Sequence, residues 1–132
     1  MIKVPKILKC LFFNQVWNIP NTDNTVYLTF DDGPTPEITE KILEILEKHQ
    51  IKATFFCIGD NVRKYPEIVQ KIISKHHSVG NHTYSHLKGW KTNTKTYLSN
   101  TEACEIKLNS LFKIYNSKLF RPPYGKITPW QS

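Results

Sequence analysis

The chain has 132 residues and a mass of 15.4 kDa, the size of one domain around one hydrophobic core. With 39% hydrophobic and 22% charged residues it is neither disordered nor of low complexity. Its longest apolar runs, Cys10 to Phe13 and Phe55 to Ile58, fall far short of the roughly 18 residues of a membrane-spanning helix, so no transmembrane segment is expected. Eighteen basic against eleven acidic residues give a net charge of +7, and every basic residue is lysine except Arg63 and Arg121. Such a surface favours anionic partners, but arginines interleaved with aromatics are lacking, so nucleic acid is not an expected partner.

The amino-terminal stretch Met1–Phe13 is basic, is broken by Pro5, Lys6 and Lys9, and is followed by no small-residue cleavage site. A signal peptide is therefore not expected, the cytoplasm is the default location, and residues 1–25 read as an extension before a domain at 26–132. Val26–Phe30 is β-branched and aromatic, predicting a strand that stops at the turn formers Asp31-Asp32-Gly33-Pro34. Thr35 is placed to cap a helix with Pro36 at its first position, and Ile38, Ile42, Ile45 and Leu46 recur at helical spacing as far as His49. Ala53–Ile58 predicts a buried strand. Pro66 opens a second helix with Ile68, Val69, Ile72 and Ile73 inward, and Ser78–Gly80 leads into a third strand. Tyr97, Thr101, Cys104, Leu108, Leu111, Phe112 and Tyr115 form the stripe of the longest helix, from about Thr94 to Tyr115. Lys118–Arg121 predicts one more strand, closed by Pro122-Pro123, and Thr128-Pro129-Trp130-Gln131 has the form of a capping box. Strands alternating with helices predict an α/β fold with a mainly parallel sheet, whose ligands gather at the carboxyl ends of the strands.

Three cysteines with no CxxC spacing suggest neither a disulfide framework nor a thiolate metal site, and Cys57 and Cys104 are expected in the core. Other residues carry more chemistry. Asp31 and Asp32 are adjacent at a strand end, so their side chains diverge, leaving one to bind a metal and its neighbour to handle protons. His82 and His86 lie four residues apart, and one helical turn would set both imidazoles on one side of a divalent ion. Two histidines and one carboxylate leave coordination positions open, as in catalytic rather than structural zinc. Arg121 would orient a carboxylate base, and the backbone N–H of Tyr124, the first after two prolines, would donate to a developing oxyanion. His49, His76 and His77 follow helical stripes and read as solvated helix ends.

Taken in order, Thr29-Phe-Asp-Asp-Gly33, His82-Thr-Tyr-Ser-His86 and Arg121-Pro-Pro-Tyr-Gly125 resemble the first three motifs of the polysaccharide deacetylases, the NodB-homology or carbohydrate esterase family 4 group. The resemblance runs from about Val26 to Gly125. It implies a distorted (β/α) barrel, here incomplete, and metal-dependent removal of acetyl groups from N-acetylglucosamine-containing glycans such as peptidoglycan or chitin. Carried over, Asp31 is the general base, Asp32, His82 and His86 hold a divalent ion (zinc, with cobalt or another as alternatives), Arg121 partners Asp31, and Tyr124 is the oxyanion donor. The family continues into an Asp/Trp motif and a Leu-x-His motif that supplies the general acid. This sequence has neither, and no histidine follows His86. A domain lacking its carboxyl-terminal part is expected, with self-association through an uncovered sheet edge. The competing expectation is a non-catalytic glycan- or metal-binding remnant.

Overall fold

The computed structural model describes residues 9–10, 15–17, 19, 24–111 and 118–132. The expected extension at 1–25 falls mostly outside them. β1 (Leu28–Gly33) pairs in parallel with β2 (Ala53–Cys57), which pairs in parallel with β3 (Ser78–Asn81), in the order β1-β2-β3. A sequential parallel order with helical crossovers is the wall of a (β/α) barrel, and this is an incomplete one, as the sequence predicts. Pairing begins at Leu28 opposite Ala53, so Val26 and Tyr27 stay outside the ladder and exposed, and β1 instead runs on through Asp31 and Asp32.

α1 (Ile38–Lys48) starts later than expected. Glu37, at φ 62°, takes the cap position, and the bond that closes this turn runs from Thr35 N–H to Thr39 Oγ1 (2.8 Å) rather than from a Thr35 cap. Its buried residues are Thr39, Leu43 and Leu46, with Ile42 packed alongside, while Ile38 and Ile45 face solvent. The inward face is thus turned from the one the isoleucines mark. The ion pair of Glu40 with Lys71 ties the helix to α3 (Pro66–Ser74). α3 begins at Pro66 as the sequence indicates and buries Ile68, Val69 and Ile72.

Between β2 and α3 lies α2 (Gly59–Lys64), which no periodicity announces because Val62 is its one buried large apolar residue. α4 (Thr94–Leu111) is started by Asn93, whose Oδ1 accepts Thr96 N–H at 2.9 Å, and buries Tyr97, Cys104 and Leu108; Phe112 and Tyr115 lie outside the described residues. Cys57 and Cys104 sit in the core between sheet and helices, where burial pushes both thiols up, that of Cys104 to about 12. The expected fourth strand is a single parallel bridge between Asn81 and Phe120, flanked by Asn81 N–H to Leu119 O (2.8 Å) and Arg121 N–H to Asn81 O (3.0 Å). Pro122 and Pro123 have no N–H to extend it.

The reading of His77 as a solvated helix end is corrected. Its ring is buried, its Nδ1 accepts Ala53 N–H at 3.2 Å, and it makes a T-shaped contact with the Phe55 ring, so it pins the start of β2. His49 and His76 are exposed at helix ends as expected. At the carboxyl end, Thr128 N–H donates to Gln131 Oε1 (3.1 Å), the glutamine half of the expected capping box, around a single 3-10 turn at Pro129–Gln131.

Candidate active site

All six residues singled out in the sequence meet at the carboxyl ends of the strands. At the end of β1 the register skips a residue, pairing Asp31 with Phe56 and Gly33 with Cys57, so Asp32 is the extra residue of a bulge. Its φ of 68° is left-handed, a conformation rare outside glycine and concentrated at functional sites. The bulge re-aims Asp32, whose carbonyl is held by Asn61 Nδ2 at 2.9 Å. The two carboxylates therefore diverge as the sequence predicts. Asp31 Oδ1 accepts Arg121 Nη1 at 2.8 Å, while Asp32 Oδ1 faces His82 Nε2 at 3.4 Å and His86 Nε2 at 3.0 Å.

The two histidines are not on a helix. They occupy the loop after β3, where left-handed φ values at Thr83 (64°) and His86 (53°) exclude one, and side-chain amides replace the helical hydrogen bonds. Asn81 Oδ1 accepts Thr83 N–H (2.8 Å), and Asn100 Oδ1 on α4 accepts Tyr84 N–H (2.9 Å) and Ser85 N–H (3.0 Å). His82 is 2% exposed and its Nδ1 lies 2.7 Å from Arg121 O. That carbonyl accepts only, so Nδ1 carries the proton and the Nε2 lone pair turns toward Asp32. Burial lowers the pKa of His82 despite the opposing carbonyl and carboxylates, which favours the neutral imidazole a metal needs.

One donor atom from each of Asp32, His82 and His86 lies within 4.8 Å of the others. Ligands about 2.1 Å from a tetrahedral ion stand about 3.4 Å apart, close to the two separations between Asp32 and the imidazoles, so the residues fit a divalent ion.

Arg121 serves several contacts. Its Nη1 also donates to Thr29 Oγ1 at 2.8 Å, and its guanidinium lies 4.1 Å from the centroid of the Phe56 ring. Gly80 leaves room for that ring, since a Cβ there would stand 2.6 Å from Phe56 Cδ1. Tyr124 takes φ 60° in the turn Pro123–Gly125, with its ring centroid 4.8 Å from that of His86. Arg121 N–H and Gly125 N–H on either side are spent on Asn81 O and Pro122 O, and the prolines have none, which singles out Tyr124 N–H as the donor this turn offers.

This geometry carries a family signature. The family model described as polysaccharide deacetylase matches residues 18–129. The chain belongs to the polysaccharide deacetylase family. Over 108 residues it is 47% identical to a peptidoglycan-N-acetylglucosamine deacetylase of Bacillus cereus, covering 82% of this chain and 39% of that protein. The crystal structure of the Bc1960 peptidoglycan N-acetylglucosamine deacetylase superposes with a TM-score of 0.81 at 46% identity, over 85% of this chain and 52% of that one. The peptidoglycan deacetylase PdaC from Bacillus subtilis gives a TM-score of 0.79 at 34% identity, over 86% of this chain and 55% of that one. The family member described here thus spans about half of these solved chains.

Sequence reasoning missed Asn61, Asn81 and Asn100, which hold the backbone of the site loops. Asparagines adjoining such turns are the available signal; the Asn81–Thr83 bond is local, but Asn61 reaches a partner 29 residues away and Asn100 partners 16 and 15 residues away.

Proposed function

We propose that this chain hydrolyses the N-acetyl groups of N-acetylglucosamine-containing glycan, with peptidoglycan as the first candidate, using a divalent ion held by Asp32, His82 and His86. The observation that carries the reading is the meeting of that donor triad with the 2.8 Å Asp31–Arg121 pair at one strand end. The names of the peptidoglycan relatives support the substrate class. Two imidazoles and a carboxylate suit zinc and also accept cobalt and other divalent ions. A bound ion supplies Lewis acidity, polarising the acetyl carbonyl and bringing the pKa of water down to about 7. Asp31, oriented by Arg121, takes the proton of the attacking water. Tyr124 N–H donates to the oxyanion that develops as the carbonyl carbon becomes tetrahedral. Collapse of that carbon breaks the C–N bond as the nitrogen takes up a proton from solvent water, giving acetate and an amine. Peptidoglycan lies outside the cytoplasm, so the proposal requires the chain to reach the envelope.

Acetate release from an N-acetylglucosamine oligomer by the metal-loaded protein tests this. Asp31→Asn is expected to lower release by about 10² to 10⁴ while leaving the metal bound. Release that is unchanged in the variant removes Asp31 as the base. A second reading, glycan or metal binding without turnover, is favoured by one observation. Among the described residues, His49 and His76 lie at helix ends and His77 at the start of β2, away from the site, so none is placed to protonate the leaving nitrogen. Metal binding with no acetate release selects that reading.

A further inference from the structure

Beside the metal-ligand triad stands a pair of aromatic rings that the core does not use. Trp90 and Tyr124 are 41% and 52% exposed, and their ring centroids are 5.6 Å apart at an interplanar angle of 82°, so they form a corner. Tyr124 joins the corner to the site through its contact with His86. Lys88 Nζ lies 5.1 Å from the Tyr124 centroid and Lys126 Nζ 5.4 Å from that of Trp90. All four side chains are exposed, and among the described residues neither ammonium is paired with a carboxylate.

The corner is held in place from below. Trp90 sits in the 3-10 turn Gly89–Lys91. The buried Gln131 donates from Nε2 to Gly89 O (3.0 Å) and Thr92 O (3.1 Å), clasping that turn to the carboxyl-terminal segment. Gly89 itself is pressed so closely that a Cβ would stand 2.9 Å from Lys126 O. Two elements distant in sequence are thereby fixed so that one supplies Lys88 and Trp90 and the other Tyr124 and Lys126. Exposed rings on a fixed support are the surface that the C–H face of a sugar ring packs against, with the indole and phenol polar ends free for hydroxyls. Two unpaired ammonium groups on the same rings add recognition of negative charge.

We infer that Trp90 and Tyr124, with Lys88 and Lys126, form a subsite for the sugar adjoining the one deacetylated, and that it selects a carboxylate-bearing sugar over a neutral one. This rests on the deacetylase reading of the neighbouring site. In peptidoglycan strands freed of their stem peptides the sugar next to N-acetylglucosamine carries a free lactyl carboxylate, the group that otherwise forms the amide bond to the peptide, whereas every sugar of chitin is neutral. The lysine pair therefore supplies the discrimination and Trp90 the stacking surface common to both.

The test is equilibrium binding by calorimetry, in the zinc-loaded Asp31→Asn protein so that acetyl groups stay in place. The two ligands are a peptidoglycan tetrasaccharide with free lactyl carboxylates and chitotetraose. The subsite predicts about tenfold tighter binding of the former, a preference that shrinks as salt is raised. Replacing Lys88 and Lys126 together by serine equalises the two ligands and leaves chitotetraose binding within about twofold. Trp90→Ala weakens both by about tenfold, and Trp90→Phe restores most of the loss, which a merely unfolded variant does not do. Equal affinities in the parent protein, binding of neither ligand, or Trp90→Ala binding as tightly as the parent overturns the inference. Acetate release by the protein with Asp31 intact is scored separately. A preference that persists without release removes the deacetylase reading and leaves the subsite standing, and release with Trp90→Ala binding unaltered does the reverse.

Discussion

Arg121 shows how much one side chain organises here. Its guanidinium joins Asp31, Thr29 and the face of Phe56, and its backbone carbonyl sets the orientation of His82, so the proposed base and one proposed metal ligand share a support. Lysine is a point charge on a flexible stem and has no planar group to lie against the Phe56 ring while it donates, so its nitrogen is held less firmly. Arg121→Lys is therefore expected to lower acetate release by about 10- to 100-fold, with zinc content unchanged because the carbonyl that orients His82 is retained. Measuring both quantities on the same preparation checks this, and loss of zinc would mean that the side chain holds the loop rather than Asp31. Residue identity at the six sites was legible in the sequence because adjacent carboxylates, paired imidazoles and an Arg-Pro-Pro turn are chemically distinctive. The backbone that aims them was not. The left-handed Asp32 belongs to a bulge set by pairing with β2, and the loop that carries Thr83 and His86 is held in part by Asn100 from α4, neither of which local patterning encodes.

At the scale of elements, the strands were readable where both faces are covered, as in β2, and misplaced at their ends, as in β1. α1 shows why. Its isoleucines mark an apolar stripe, yet the face that packs is the one carrying the Thr39 hydroxyl, which the Thr35 turn engages. α2 escaped notice because a six-residue helix is too short to show a period. His77 escaped because a buried imidazole that accepts a backbone N–H looks, in sequence, like any helix-end histidine. Its burial has a consequence for stability. Removal from water holds the pKa of His77 below its ordinary 6.5, and the nearby Lys52 and Lys75 act in the same direction. The unfolded chain takes up a proton near pH 6.5 while the folded chain resists, so the unfolded state binds more protons in that window and stability rises with pH through it. The contribution is complete above about pH 6.5 and is lost as pH falls toward the folded value. His77→Gln keeps an acceptor for Ala53 N–H without titrating. Urea midpoints compared between pH 7.5 and 5 are expected to fall less in the variant, and parallel profiles would show that His77 does not titrate with folding.

At the scale of the whole molecule, the parallel order β1-β2-β3 collects the site at one end of the sheet and leaves β1 at its edge among the described residues. Leu28 on that strand is 38% exposed, with Val26, Tyr27 and Ile38 more so. An unpaired apolar edge is a template for association. Sedimentation velocity is expected to show concentration-dependent association that Leu28→Lys reduces, and a single monomer at every concentration would contradict it. The α/β alternation made this architecture readable from the chain, since each strand-helix unit signals its own period and the carboxyl ends of successive parallel strands fall together. Two segments separated in sequence, the end of β1 with Asp32 and the loop after β3 with His82 and His86, are proposed to build one ion site there. Titrating cobalt(II) or zinc into the protein tests it most directly. One ion per chain is expected, with affinity lowered about 100-fold or more by alanine at Asp32, at His82 or at His86. Failure of the protein to bind either ion, or alanine variants that bind as tightly as the parent protein, would contradict it.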